Sequence, residues 1–131
     1  MQSILVVEDQ AEARKPLMKL LRLEGYDVAG VANADDALIA ARRQKFDLVL
    51  LDLMLPGTDG LTLLQDFRND PVLRHLVVVV LTGVSDQYSL QLARERGVTD
   101  YLLKAQFTPD ELLHIIRRSV TPEPNKFPND A

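Results

Sequence analysis

The stretch DLVLLDLMLPGTDG, residues 47–60, decides how this sequence folds. Four consecutive large apolar residues at 48–51 are typical of a strand that is covered on both faces of a parallel sheet. Asp52 follows directly, so a carboxylate stands where the strand is expected to end. Pro56 and Gly57 then predict a tight turn, and Asp59 predicts the N-cap of a helix.

The rest of the chain repeats this alternation of a short apolar run and a helix-like segment. Strands are predicted at 4–7, 26–31, 47–51, 76–81 and 100–103. Helices are predicted at 11–24, 34–44, 60–68, 85–96 and 109–119. Five strand–helix units in succession favour an α/β fold with a parallel sheet, helices on both faces and right-handed crossovers.

Several helix ends carry their own signals. Asn33 is a predicted N-cap, and Gly25 and Gly97 are predicted helix stops. The stretch 108–111, Thr-Pro-Asp-Glu, predicts a capping box with proline at the first helical position.

Composition narrows the class of protein. The chain has 131 residues, of which 47% are apolar and 26% are charged, as in one ordinary folded domain. It has no cysteine, which excludes disulfides and thiolate metal sites. The net charge of −4 argues against direct binding to nucleic acid or an anionic membrane. No stretch has the pattern of a signal peptide or of a membrane-spanning helix, so we expect a cytoplasmic protein.

Residues 121–131 differ from the rest because they contain three prolines and no apolar period. We interpret 1–120 as the domain and 121–131 as a linker or tail.

Polar groups stand at the ends of several predicted strands. Glu8 and Asp9 come at the end of the first strand and Asp52 at the end of the third. Thr82 comes at the end of the fourth strand and Lys104 at the end of the fifth. In a doubly wound sheet these groups meet at one edge. Clustered carboxylates repel one another unless a cation lies between them, and oxygen ligands favour Mg²⁺ or Mn²⁺. Taken alone, each residue has a simpler interpretation. Glu8 and Asp9 could cap the next helix, and Asp52 could be a turn residue. Thr82 could bond to backbone at the strand end, and Lys104 could be solvated.

Four segments together resemble the receiver domain of two-component response regulators. They are ILVVED at 4–9, DLVLLDLMLPGTDG at 47–60, VVVVLTG at 77–83 and DYLLK at 100–104. The resemblance covers residue 3 to about residue 119. It implies a flavodoxin-like (βα)5 fold with a five-stranded parallel sheet in the order 2-1-3-4-5.

The resemblance also implies roles for these residues. Asp52 would be the phosphoacceptor and a metal ligand. Asp9 would bind Mg²⁺ (or Mn²⁺) directly, Glu8 would reach it through water, and Met54 would contribute its backbone oxygen.

On the phosphoryl side, the resemblance implies that Thr82, Gly83 and Lys104 contact the phosphate. Thr82 and Tyr101 would form the switch, with Tyr101 rotating inward as Thr82 moves. Tyr101 can also be interpreted as an ordinary half-buried strand aromatic.

The implied function is that of a phosphorelay component, not a conventional enzyme. The domain would take a phosphoryl group from a sensor histidine kinase or a His-phosphotransfer protein, and slowly remove it again. Its 84–119 face would then act on an output domain or an effector protein, or form a homodimer. The sequence shows no output domain of its own.

The sequence departs from the family pattern in places. Ala105 stands where the family usually has a proline after a cis peptide bond, and we expect a trans Lys104–Ala105 bond because a cis bond before a non-proline residue costs about 2.5–4 kcal/mol. Gly83 replaces the more usual alanine. Met54 and Val84 are apolar where attacking water would pass, which predicts slow dephosphorylation.

Three alternatives compete with this interpretation. A phosphatase of the haloacid dehalogenase type needs an aspartate where Met54 stands. A flavodoxin-like flavin carrier needs a phosphate loop after the first strand, where Glu8 and Asp9 would repel the phosphate. A degenerate receiver that only binds proteins is disfavoured by the four site residues and kept open by Ala105.

Overall fold

The computed structural model describes residues 2–55, 57, 59–83, 87–104 and 106–120. The strands are β1 (Ser3–Val7), β2 (Asp27–Val31), β3 (Leu48–Leu51), β4 (Val78–Thr82) and β5 (Asp100–Leu103). The helices are α1 (Ala11–Leu23), α2 (Ala34–Arg43), α3 (Gly60–Asn69), α4 (Gln87–Glu95) and α5 (Pro109–Val120).

The five strands form one parallel sheet in the order β2-β1-β3-β4-β5. This confirms the predicted fold class and strand order. In the register of the two central strands, Val7 lies beside Leu51. The residues that follow β1 and β3 therefore leave the sheet next to each other.

Alternate strand residues face opposite layers of helices. Leu5 and Val7 belong to the core under α2, α3 and α4, where Phe67 is fully buried. Ile4 and Val6 belong to the core under α1 and α5. Both faces of the central strands are therefore covered, which explains why they are continuously apolar.

The predicted helix caps are confirmed. Asn33 accepts a hydrogen bond from the Asp36 N–H, and Asp59 accepts one from the Thr62 N–H. At the start of α5, Thr108 and Glu111 form the predicted capping box. The Thr108 N–H donates to Glu111 Oε1 at 2.8 Å, and the Glu111 N–H donates to Thr108 Oγ1 at 3.2 Å.

The predicted helix stops are confirmed as well. Gly25 and Gly97 follow α1 and α4 with φ of +98° and +83°, a backbone conformation that glycine adopts without a Cβ clash.

Three strands start later than predicted, β2 and β3 by one residue each and β4 by two. The apolar run begins at Leu76, whereas β4 starts at Val78, because the Leu76 N–H donates to the Leu73 carbonyl in the preceding turn. For the predicted helix at 85–96, residues 85 and 86 lie outside the described residues, and α4 ends at Glu95, one residue earlier than predicted. The predicted tail at 121–131 lies outside the described residues. None of the described helices is long and apolar enough to cross a membrane.

Candidate functional site

The backbone fixes two acidic residues at the carboxyl edge of the sheet. The Glu8 N–H donates to the Val31 carbonyl and the Asp52 N–H to the Val7 carbonyl, each at 3.0 Å. These bonds continue the strand ladders one residue beyond β1 and β3. Glu8 and Asp52 thus stand at the sheet edge on rigid backbone, although neither belongs to a strand.

Thr82 and Lys104 reach the same edge from the other half of the sheet. Thr82 is the last residue of β4 and is fully buried. The Lys104 N–H donates to the Thr82 carbonyl at 2.9 Å, which holds the lysine beside β4 as the chain leaves β5. Gly83 follows Thr82 at the surface, and a Cβ placed on it would meet no atom within 4 Å. The space beside Gly83 expected from the sequence is therefore present.

The structure brings three carboxylates together. One oxygen each of Glu8, Asp9 and Asp52 lies within 4.8 Å of the other two. Glu8 is only 2% exposed and Asp52 only 4%, whereas Asp9 is accessible to solvent. Carboxylates buried this close repel one another unless cations compensate them.

The alternative that Glu8 and Asp9 simply cap α1 does not describe this site. The N-cap of α1 is Gln10, which makes no side-chain capping hydrogen bond. Glu8 uses one oxygen to accept the Gln10 N–H at 3.1 Å. Its other oxygen lies toward Lys104.

Lys104 lies between two of the carboxylates. Its Nζ is 2.5 Å from Glu8 Oε1 and 2.8 Å from Asp52 Oδ2. Burial disfavours the ammonium, but hydrogen bonds to Asp52 and Glu8 and their negative charges outweigh it, so the pKa of Lys104 is raised. One ammonium among three carboxylates leaves two negative charges uncompensated. The donors are all hard oxygens, so the group suits a divalent cation such as Mg²⁺.

Both oxygens of the Asp52 carboxylate have partners. Oδ2 accepts from Lys104, and Oδ1 accepts the Met54 N–H at 2.9 Å. The backbone N–H of Met54 therefore lies against the carboxylate, while the residue as a whole is 60% exposed. The side chain of Asp52 is held in one orientation from two sides.

Two further residues support the site and were not predicted. Arg14 donates from Nη1 to the Glu8 carbonyl at 2.8 Å. A Cβ on Gly60 would lie 2.5 Å from Leu53 Cα and 2.8 Å from the Asp52 carbonyl oxygen. Only glycine lets the start of α3 pack this closely behind Asp52. In the sequence, this close approach is indicated only by a glycine, Gly60, that directly follows the predicted N-cap Asp59.

Tyr101 lies on the opposite side of β5 from α5, partly buried against the core under α4. Its hydroxyl accepts a hydrogen bond from Arg94 Nη2 at 3.3 Å, and the Arg94 guanidinium lies 5.3 Å from the ring centre. The structure places this aromatic next to α4, two strand residues before Leu103. Two predictions concern residues outside the described part of the chain. The trans Lys104–Ala105 peptide bond involves Ala105, and the apolar path for attacking water involves Val84.

Comparisons with known proteins agree on one family. Residues 4–117 match the family model described as "Response regulator receiver domain". The DNA-binding response regulator MtrA of Mycolicibacterium paratuberculosis is 40% identical over 116 residues, which cover 88% of this chain and 50% of MtrA. The chain thus spans about half the length of the curated relatives it matches.

Two solved structures are similar along nearly the whole chain. The BeF3-activated receiver domain of Klebsiella pneumoniae RstA has a TM-score of 0.84 and 35% identity, covering 92% of this chain and 100% of that one. The receiver domain of sensor histidine kinase PA1611 from Pseudomonas aeruginosa has a TM-score of 0.82 and 33% identity, covering 91% and 97%. The latter structure has a magnesium ion coordinated in its active-site cleft.

Proposed function

Because the chain belongs to the response regulator receiver domain family, we propose that it accepts a phosphoryl group from a phosphohistidine onto Asp52. Membership of this family removes the phosphatase and flavin-carrier alternatives. The remaining alternative is a receiver that has lost phosphorylation and only binds partner proteins.

The observation that carries the proposal is the setting of the Asp52 carboxylate. It is nearly buried, yet it lies at the sheet edge between Lys104 and the Met54 N–H. A nucleophile for phosphoryl transfer must be held in line with the leaving group. The two hydrogen bonds and the packing of Gly60 behind Asp52 supply that orientation.

Glu8, Asp9 and Asp52 would hold Mg²⁺, with the Met54 carbonyl as a further ligand by family resemblance. When bound, the cation would offset the repulsion between the carboxylate and an anionic phosphoryl donor. The two uncompensated negative charges among Glu8, Asp9, Asp52 and Lys104 support this assignment.

The transfer needs no other reactant. An Asp52 oxygen forms a bond to phosphorus as the phosphorus–nitrogen bond of phosphohistidine breaks, and the imidazole leaves with the electron pair. Lys104 then exchanges its carboxylate partner for a phosphoryl oxygen, and Thr82 and the Gly83 N–H donate to the others. Water later hydrolyses the acyl phosphate, slowly because the Met54 side chain beside the site is apolar.

The switch would couple this event to the 84–119 face. Thr82 moves toward the phosphoryl group, and Tyr101 leaves Arg94 and rotates inward. Differential contacts in the two forms bias the equilibrium between them. The face would then act on an output domain or an effector protein, or pair with a second copy. MtrA is named a DNA-binding response regulator, which supports an output domain as one target.

The test uses acetyl phosphate or phosphoramidate with Mg²⁺, followed by intact-mass measurement. The unaltered chain should gain the mass of one phosphoryl group, and Asp52→Asn should gain none. Asp59→Asn is the matched control, because asparagine can still cap α3 and the substitution removes a carboxylate from the same segment.

Absence of any mass gain in the unaltered chain, or an equal gain in Asp52→Asn, would reject the proposal. The first result would favour the degenerate receiver. The second result would show that a residue other than Asp52 accepts the phosphoryl group.

A further inference from the structure

Helix α1 carries a cationic cluster of which only Arg14 contacts the phosphorylation site, through the Glu8 carbonyl. Arg14, Lys15, Lys19 and Arg22 line one cavity of about 410 Å³, together with Met18 and Gly30 of the edge strand β2. The residues recur at helical spacing, so the four cations lie along one side of the helix. We call these four residues the α1 cationic cluster.

Two members of the cluster are held in place by the backbone. Arg14 donates to the Glu8 carbonyl at 2.8 Å and Arg22 to the Val28 carbonyl at 2.9 Å. Their eight-residue separation corresponds to about 12 Å along a helix axis. Lys15 and Lys19 lie between these anchored guanidiniums and are exposed. The cluster is thus a row of cations with two fixed ends.

In the part of the chain that the structure describes, no salt bridge cancels the charge of the cluster. Among the residues that the structure describes, none of its members forms a salt bridge with a carboxylate; the pairs found involve Arg42, Lys104, Arg117 and Arg118. Neutral carbonyls fix Arg14 and Arg22 without cancelling their charge. This concentration of positive charge occurs in a chain whose net charge is −4.

The walls of the cavity define the ligand further. The described residues that line it include no aromatic side chain and no carboxylate. A nucleobase could not stack on an aromatic ring here. A row of lysine and arginine side chains can instead form charge-assisted hydrogen bonds with a row of phosphate groups. We propose that the α1 cationic cluster binds a chain of linked phosphates, as found in inorganic polyphosphate and nucleoside polyphosphates, through the phosphates alone.

A second cavity, of about 500 Å³, serves as an internal comparison. It is lined by Arg42, Arg43, Lys45 and His75, but also by Asp47, and Arg42 is paired with Asp70 at 3.2 Å. Its positive charge is therefore partly cancelled. Arg43 and Lys45 provide a matched pair of cations for a control.

The test is titration calorimetry of the full chain with inorganic tripolyphosphate, in EDTA at low ionic strength. We expect saturable binding to one site that weakens as salt is added. Lys15→Gln/Lys19→Gln should bind about tenfold more weakly, equivalent to about 1.4 kcal/mol. Arg43→Gln/Lys45→Gln removes the same charge elsewhere and should bind within about twofold of the unaltered chain. Asp52→Asn should also bind normally, so this site is tested separately from phosphorylation.

Two further ligands test the chemistry. ATP should bind about as well as tripolyphosphate, and a hexaglutamate peptide clearly less well. Failure of tripolyphosphate to bind, or equal losses in the two double variants, would overturn the proposal. Hexaglutamate binding as tightly as tripolyphosphate would overturn it in favour of an acidic protein segment, and binding of ATP alone would show recognition of the base.

Discussion

Lys104 and Arg68 are both partly buried, and their surroundings differ. Lys104, at the carboxyl edge of the sheet, faces the carboxylates of Glu8 and Asp52. Arg68, at the end of α3, faces neutral carbonyl oxygens. We call Arg68 and the four carbonyls that it contacts the Arg68 clamp.

The donors of Arg68 are divided between two loops, one after α3 and one after α4. Nε donates to the Arg96 carbonyl at 2.7 Å, and Nη2 donates to the Gly97 carbonyl at 2.9 Å. Nη1 donates to the Arg74 and Leu76 carbonyls, both at 2.8 Å. Burial lowers the pKa of Arg68. The clamp ties the turns after α3 and α4 together and leaves no anionic group to be compensated.

The contrast separates a neutral group of satisfied hydrogen bonds from a group that keeps unbalanced negative charge, on which the proposed metal and phosphoryl site depends. In the Arg68 clamp the hydrogen bonds are satisfied and the surroundings are neutral. At the carboxyl edge, two negative charges remain uncompensated among rigidly held groups. Such a concentration of like charge costs folding free energy and is retained where a cation or a reaction uses it.

The largest effect is expected from breaking the clamp. Arg68→Ala leaves four carbonyls without their donor and should lower the free energy of unfolding by about 2–4 kcal/mol. Urea denaturation measures this. Arg68→Lys retains the charge but not the fork of donors, so it should recover only part of the loss. A loss below about 0.5 kcal/mol for Arg68→Ala would mean that water replaces the clamp.

A smaller effect is expected from disturbing the backbone behind Asp52. The Cβ of Gly60→Ala would collide with Leu53 and the Asp52 carbonyl, and overpacking of this kind costs about 1–3 kcal/mol. The variant should also accept the phosphoryl group more slowly, because Asp52 is displaced. Gly83→Ala adds the same methyl group in open space and should change stability by less than about 0.5 kcal/mol. Equal unfolding free energies for the two variants would contradict this packing.

The smallest effect is expected from adding Mg²⁺. A ligand that binds only the folded chain stabilises it by about 1.4 kcal/mol when its free concentration is ten times Kd. Asp9→Asn should remove most of this stabilisation. Arg68→Ala should retain it in full, because distant and independent sites are additive. Thermal melts with and without Mg²⁺ measure both, and a Mg²⁺ effect that survives Asp9→Asn would place the cation elsewhere.

Much of this molecule could be predicted from the sequence because the relevant signals are local. Continuous apolar runs predicted the five strands, and caps such as Asn33 and Thr108 predicted where helices begin. The convergence of Glu8, Asp9, Asp52 and Lys104 followed from one rule, that parallel strands end at one edge.

Other features have no local signal. The start of β4 depends on a turn that withdraws Leu76 from the strand, which the apolar run cannot show. Arg68 looks like any surface arginine in the sequence, because its partners are backbone carbonyls brought near by the fold. The salt bridge between Lys104 and Glu8 depends on side-chain geometry that strand order alone does not specify.

The spacing of the site along the chain has a consequence for protein synthesis. Lys104 bonds to Asp52 across a separation of 52 residues, and it follows β5, which is the last strand in the chain and lies at an edge of the sheet. A nascent chain that has left the ribosome only as far as β4 contains the acidic residues but not the lysine. Because Lys104 is separated from the acidic residues by most of the sheet in sequence, the complete site requires all five strands. A chain that stops before β5 therefore holds the carboxylates of the proposed site without the lysine that lies between them.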